Sequence, residues 1–238
     1  MNYLAHACDF LNDPYFVAGT ALPDWLGVVD RRVRVRSRQA EPHVADADPR
    51  VAAFAAGVMQ HHADDAWFHT SDAFVELQWR LTVLVRDALP PDAGFRPHFL
   101  GHVLVELLLD AALSTDEPDL IERYYQALGE VDPELIEAAV NRMASRPTER
   151  LSRLIPLFLR ERFLSDYTAD AKLCWRLNQV LRRVGLATLP DVFAGAIAQA
   201  RPWVYERRAE LLTRPREATV TLPHEATGAA MNKAENKR

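Results

Sequence analysis

Apolar residues recur at three- and four-residue intervals over most of the chain, the spacing that lines one face of a helix. After Ser71, a residue suited to capping a helix start, Phe74, Leu77, Leu81, Leu84 and Val85 keep that spacing until Pro90 and Pro91 stop it. A second apolar run, Phe99 through Leu113, follows Pro97 and ends in the polar break Ser114 to Pro118. It is expected at the centre of the fold. Further helices are predicted at about 118 to 128, with Gly129 as the stop, and at 132 to 145, 148 to 164, 167 to 184 and 190 to 213. No segment reads as a strand. The pattern predicts an all-α, single multi-helix domain over residues 1–214, with a central pair of helices carrying its chemistry.

Two stretches depart from the pattern. Residues 31–50, RRVRVRSRQAEPHVADADPR, are charged and turn-prone, and are expected as a loop or mobile cover. Residues 215–238 lack an apolar period and are expected as a disordered tail.

Composition narrows the class. With 49% hydrophobic residues and only 9 Gly in 238 residues, the chain can bury a substantial core. A formal net charge of -5 gives no general attraction to a polyanion, so stable nucleic-acid binding is not expected, local basic runs notwithstanding. Cys8 and Cys174, two and far apart, imply neither a disulfide framework nor a paired-cysteine metal knuckle. The opening MNYLAHACDFLNDPYF has no basic start and carries Asp9 and Asp13 where a signal peptide needs an apolar run. No membrane span and a cytoplasmic location are expected.

The histidines are what point to chemistry. Seven of eight fall within the first 102 residues, most near acidic residues at helical spacing. His61, Asp65 and His69 form an i, i+4, i+8 row, and His98, His102, Glu106 and Asp110 form another inside an otherwise apolar helix. Glu106, between Val105 and Leu107, is placed for burial, and an unpaired buried carboxylate costs several kcal/mol. A metal would supply its partner, and imidazole and carboxylate are the ligands of zinc, manganese and iron sites. A polar core network is the plainer alternative. His98 and Asp110 are candidates to hydrogen-bond the ligands. His62 and Asp64 point off the row and are expected in solvent or behind the ligands, while His43 and His224 are expected to be incidental.

The opening MNYLAH, the segment AGTALPDWLG with Gly19 and Asp24, and the segment GVMQHHADD with His61 and Asp65 resemble the acyl-carrier-protein phosphodiesterase family, helical proteins similar to the HD-type metal phosphohydrolases. The resemblance covers about the first 110 residues and implies His6, Asp24, His61 and Asp65 as metal-site residues. The chain has His102 and Glu106 where that family has an Asp-x3-Asp pair, and His69 where it has a further Asp. This altered pattern also resembles the zinc-dependent phospholipase C and S1/P1 nuclease group.

The expected function is therefore metal-dependent hydrolysis of a phosphoester, with one or two divalent ions. His6, Asp24, His61 and Asp65 would hold one, with Asp65 bridging to a second at His69, His102 and Glu106. Asp65 and Glu106 are the expected catalytic carboxylates. Arg32, Arg34 and Arg36, with Arg31 and Arg38, could grip a phosphate, although a solvated charge run explains them as well. The substrate could be a carrier-protein phosphopantetheine, a phospholipid or a small phosphodiester, with acyl carrier protein as a partner. The rival is a non-catalytic helical metal-binding or interaction protein. Di-iron oxygen chemistry fits less well, because its Glu-x-x-His spacing is missing from the two rows.

Overall fold

The computed structural model describes residues 1–91, 94–215 and 218–220, and among them there is no strand. The protein is all-α. Its helices are α1 Tyr3–Ala7, α2 Pro14–Val29, α3 Ser37–Ala40, α4 Pro49–Phe68, α5 Asp72–Ala88, α6 Pro97–Asp116, α7 Leu120–Gly129, α8 Pro133–Met143, α9 Leu151–Glu161, α10 Asp170–Val184 and α11 Ala194–Leu211.

Caps decide where several of these begin and end. The Asp13 carboxylate accepts the N–H of Phe16 while Pro14 takes the first position of α2, and Asp132 and Pro133 do the same for α8. Ser71 starts α5 by accepting from Phe74 N, as its sequence position predicts. The buried stripe of α5 is Phe74, Leu77, Leu81 and Val85, matching the apolar period. Gly185, at a positive φ of 74°, ends α10 in the left-handed turn that glycine adopts without strain. The helix predicted over 148 to 164 is shorter, because Arg162 turns left-handed and a 3-10 turn, Phe163–Thr168, follows.

Contacts cluster into two compact units, each drawn from separate stretches of chain. The first comprises Met1–Ala5, Ala66–Arg123 and Arg162–Thr213. Here α6 packs against α5, α11 and the turn at Phe163–Thr168. Most of α6 is buried inside the protein, although by length and apolarity alone it could cross a membrane. Gly101 lets α5 and α6 approach closely, since a Cβ there would stand 2.8 Å from Thr82 Oγ1 and 2.9 Å from Thr82 N.

The second unit comprises His6–Asp65, Tyr124–Glu161 and, among the described residues that follow, 214–215 and 218–220. In it α8 packs on α9, and α2 on α9. Helices α2 and α4 meet through two glycines, for a Cβ on Gly19 would fall 2.2 Å from Phe54 O and one on Gly57 2.1 Å from Phe16 O. Only hydrogen fits at either position.

The charged stretch 31–50 is not simply loop. Gln39 Oε1 accepts from Arg36 N, which starts the short α3, and Gln39 Nε2 donates to Met143 O. Val33 and Val35 are buried, which pins the segment between its arginines. From the expected tail, Ala218 and Val220 have fixed partners: Gln60 Nε2 donates to Ala218 O, and Val220 N donates to Gln60 Oε1. Val220 also packs on Phe16 and Ala56. Residues 216–217 and 221–238 lie outside the described residues.

Candidate metal centres

Helix α4 presents His61 and Asp65 one turn apart, and α1 contributes His6. One ligand atom from each of these three lies within 4.8 Å of the others. His6 and His61 are buried, with rings stacked 4.1 Å apart between centroids, whereas the Asp65 side chain is 32% exposed. The trio therefore has two enclosed ligands and one open to solvent.

Hydrogen bonds behind the rings fix which nitrogen faces the centre. His61 Nδ1 stands 2.7 Å from the carbonyl of Thr20, which can only accept, so the proton is on Nδ1. His6 Nδ1 stands 3.1 Å from Asp64 Oδ2. Burial alone would raise the Asp64 carboxyl, but His6, Arg214 and Gln60 hold it below its ordinary value, so it too is an acceptor. In the neutral rings both Nε2 atoms then carry lone pairs. His6 Nε2 is buried without a hydrogen-bond partner, 3.5 Å from Asp65 Oδ1, and His61 Nε2 is 3.4 Å from Asp65 Oδ2. Two imidazole lone pairs and a carboxylate turned toward one another repel unless a proton or a metal cation stands among them. His, His and carboxylate, with ring N–H groups anchored behind, fit a divalent metal.

His69 leaves the row that its spacing predicts. Helix α4 ends at Phe68, so His69 sits in the following turn and joins His102 and Glu106 of α6. Their ligand atoms also lie within 4.8 Å of one another. Glu106 Oε1 is 2.9 Å from His69 Nε2 and 3.3 Å from His102 Nε2, and it accepts from the amino group of Met1 at 3.1 Å. Burial works against the charge of Glu106, yet the Met1 amino group, His102 and His69 hold its carboxyl well below the usual range. The partner foreseen for this carboxylate is thus partly supplied by the chain itself, and a metal here would compete for Glu106 with the Met1 ammonium or, once that group lost its proton, could take it as a ligand.

The remaining candidates divide. Asp24 lies within α2, which continues through Pro23; of the four residues that the resemblance assigns, the group of mutually close ligand atoms holds His6, His61 and Asp65. His98 is exposed and reaches His102 only through Gln78, whose amide lies 3.3 Å from His98 Nε2 and 3.3 Å from His102 Nδ1. Arg32, Arg34 and Arg36 are exposed, as are Arg31 and Arg38. Their segment is tied beside the trio, because His62, the residue after His61, donates from Nε2 to Val35 O. Asp64 is fully buried, which overturns the solvent placement and leaves its role behind His6. His43 stands in a 3-10 turn near Asp46, and His224 lies outside the described residues. Thr20, Gln78 and Arg214 carried no periodic signal, each acting through a partner distant in sequence, whereas Gln60 meets Asp64 one turn along α4.

Asp110 does not touch a ligand side chain. It accepts from Asn2 Nδ2, Leu4 N and Ala5 N, satisfying N–H groups at the start of α1. Burial dominates and pushes its carboxyl up to about 7 despite these donors. A carboxyl with a higher pKa folded than unfolded holds its proton more tightly when folded. Its contribution is full at acid pH and is lost as pH rises toward 7. Chelator-treated wild type should therefore lose roughly 2 kcal/mol of unfolding free energy between about pH 5 and pH 7 relative to Asp110→Asn, as read by urea titration. Parallel pH profiles would show that Asp110 does not titrate in this window.

Compared with protein-family models, with curated proteins and with solved structures, the chain gives no match.

Proposed function

We propose that the protein is a metal-dependent phosphoester hydrolase that binds a divalent ion, zinc, manganese or iron, at His6, His61 and Asp65. The observation that carries this reading is the pair of Nε2 atoms freed toward Asp65 by the hydrogen bonds of Nδ1 to Asp64 and Thr20. When bound, such an ion acidifies a water and offsets charge on phosphoryl oxygens. Three protein ligands with a solvent-facing edge match a catalytic metal site better than a structural one, which closes with four.

The protein's own groups have distinct tasks. His6 and His61 hold position through their anchored rings. Asp65 has one oxygen toward each histidine and is the member that an incoming water reaches, so it serves as ligand and as proton acceptor. Arg32, Arg34 and Arg36, on the segment that His62 holds through Val35 O, would bind the ester's phosphate. Glu106, with His69 and His102, is the place for a second ion. The substrate class follows the resemblance in the sequence: a phosphopantetheinylated carrier protein first, then a phospholipid headgroup or a small diester.

Purified protein reconstituted with zinc or manganese should hydrolyse bis(p-nitrophenyl) phosphate, p-nitrophenyl phosphate or phosphopantetheinylated acyl carrier protein. Glu106→Gln should fold, hold less metal and lose most of that activity. Metal bound stoichiometrically at the trio with no turnover of any of the three would instead favour a non-catalytic metal-binding protein.

A further inference from the structure

The charge behind the trio is handled by a part of the chain far away in sequence. Asp64 is buried completely, and besides His6 its carboxylate meets Gln60 Nε2 at 2.8 Å, Arg214 Nε at 2.8 Å and Arg214 Nη2 at 3.5 Å. Arg214 also binds Asp9 Oδ2 through Nη1 at 2.7 Å and lies over the ring of Phe10. Gln60 is fixed in turn by Ala218 O and Val220 N. Gln60 and Arg214 are thus each clamped on a second side.

We propose that Arg214 is a positioning residue of the metal centre: its guanidinium holds the Asp64 carboxylate in the orientation that keeps His6 Nδ1 protonated and His6 Nε2 aimed at His61 and Asp65. The metal part of this inference rests on the function proposed above, but the effect on the His6 ring does not. A guanidinium fork grips both oxygens of a carboxylate, so it fixes rotation as well as charge. Asp64 turned away from His6 would let the imidazole exchange tautomers and present N–H, which cannot ligate, toward Asp65. Residues after α11 therefore tune an ion site built from α1 and α4.

The test uses the full chain, labelled with 15N at histidine, in wild type, Arg214→Gln and Arg214→Lys. The His6 signals are assigned by their loss in His6→Gln. In metal-free wild type they should report one tautomer, with the proton on Nδ1; in Arg214→Gln they should move toward a tautomer average, and Arg214→Lys should recover part of the wild-type pattern. Zinc affinity, measured against a chromophoric chelator, should weaken roughly 10–100-fold in Arg214→Gln, as for loss of partners behind other metal ligands. Should Arg214→Gln fail to fold, Asp9→Asn removes one anchor of the guanidinium from an exposed side chain. It should shift the His6 signals the same way and weaken zinc roughly twofold to fivefold. Unchanged His6 signals with zinc affinity within twofold of wild type, in Arg214→Gln or in Asp9→Asn when that variant must stand in for it, would overturn the proposal. A wild type that binds no zinc but whose His6 signals still depend on Arg214 would refute the metal centre and leave the positioning role standing.

Discussion

Asp65→Ala is expected to remain folded and to lose metal at the trio, while Asp64→Asn is expected to keep weakened metal binding and lose stability. The two neighbours differ because of what they touch. Asp65 is one-third exposed and faces both Nε2 atoms, so removing it takes away a ligand without opening the core. Its affinity loss should exceed the roughly 10–100-fold that follows loss of a hydrogen-bond partner behind a ligand. Asp64 is fully buried among His6, Gln60 and Arg214, and neutralising it leaves the part-buried Arg214 guanidinium with Asp9 as a carboxylate partner. The loss should therefore fall below the ~3–5 kcal/mol typical of breaking a fully buried pair. Zinc competition and urea unfolding on both variants check this, and equal metal loss with equal stability loss would remove the distinction.

The second large effect is at Gly57, where alanine is expected to destabilise the protein by more than about 3 kcal/mol or prevent folding, since the added Cβ would meet Phe16 O at 2.1 Å. Backbone atoms on the facing helix cannot rotate aside as a side chain does. Forcing α2 away from α4 would also pull Thr20 O from His61 Nδ1, so any folded fraction should bind metal poorly. Gly27→Ala is the control. Its Cβ meets nothing within 4 Å, and a helical Gly→Ala change should raise stability by up to about 1 kcal/mol. Thermal or urea unfolding of the two variants should move in opposite directions; a mild loss at Gly57 would show that the helices can separate cheaply.

The sequence reveals those features that repeat along it. The 3.6-residue period, Ser71, Pro97 and Gly129 mark helices because each acts within a turn or two of itself, and α5, α6 and α7 lie close to where they are predicted. The pairing of His61 with Asp65, and of His102 with Glu106, is legible for the same reason: residues four apart share a helix face. His69 shows the limit, since spacing extends a row only while the helix lasts, and α4 stops at Phe68. Asp24 shows another: motif position placed it with His6, whereas the mutually close ligand atoms belong to His6, His61 and Asp65. The partners that fix the imidazoles escape sequence reading altogether. Thr20 is 41 residues from His61 and Arg214 is 150 from Asp64, and nothing in the local composition of either signals the contact. Gly19 and Gly57 likewise gain meaning only once two helices cross at them.

The central claim is that His6, His61 and Asp65 together hold a divalent cation. Its most direct test is an anomalous-difference map from a crystal of the protein reconstituted with zinc, collected at the zinc edge. The expected result is one strong peak coordinated by Nε2 of His6, Nε2 of His61 and an Asp65 oxygen, at about 2.0–2.2 Å from each. A map without a peak there, or with zinc bound in stoichiometric amount only elsewhere, would contradict the account.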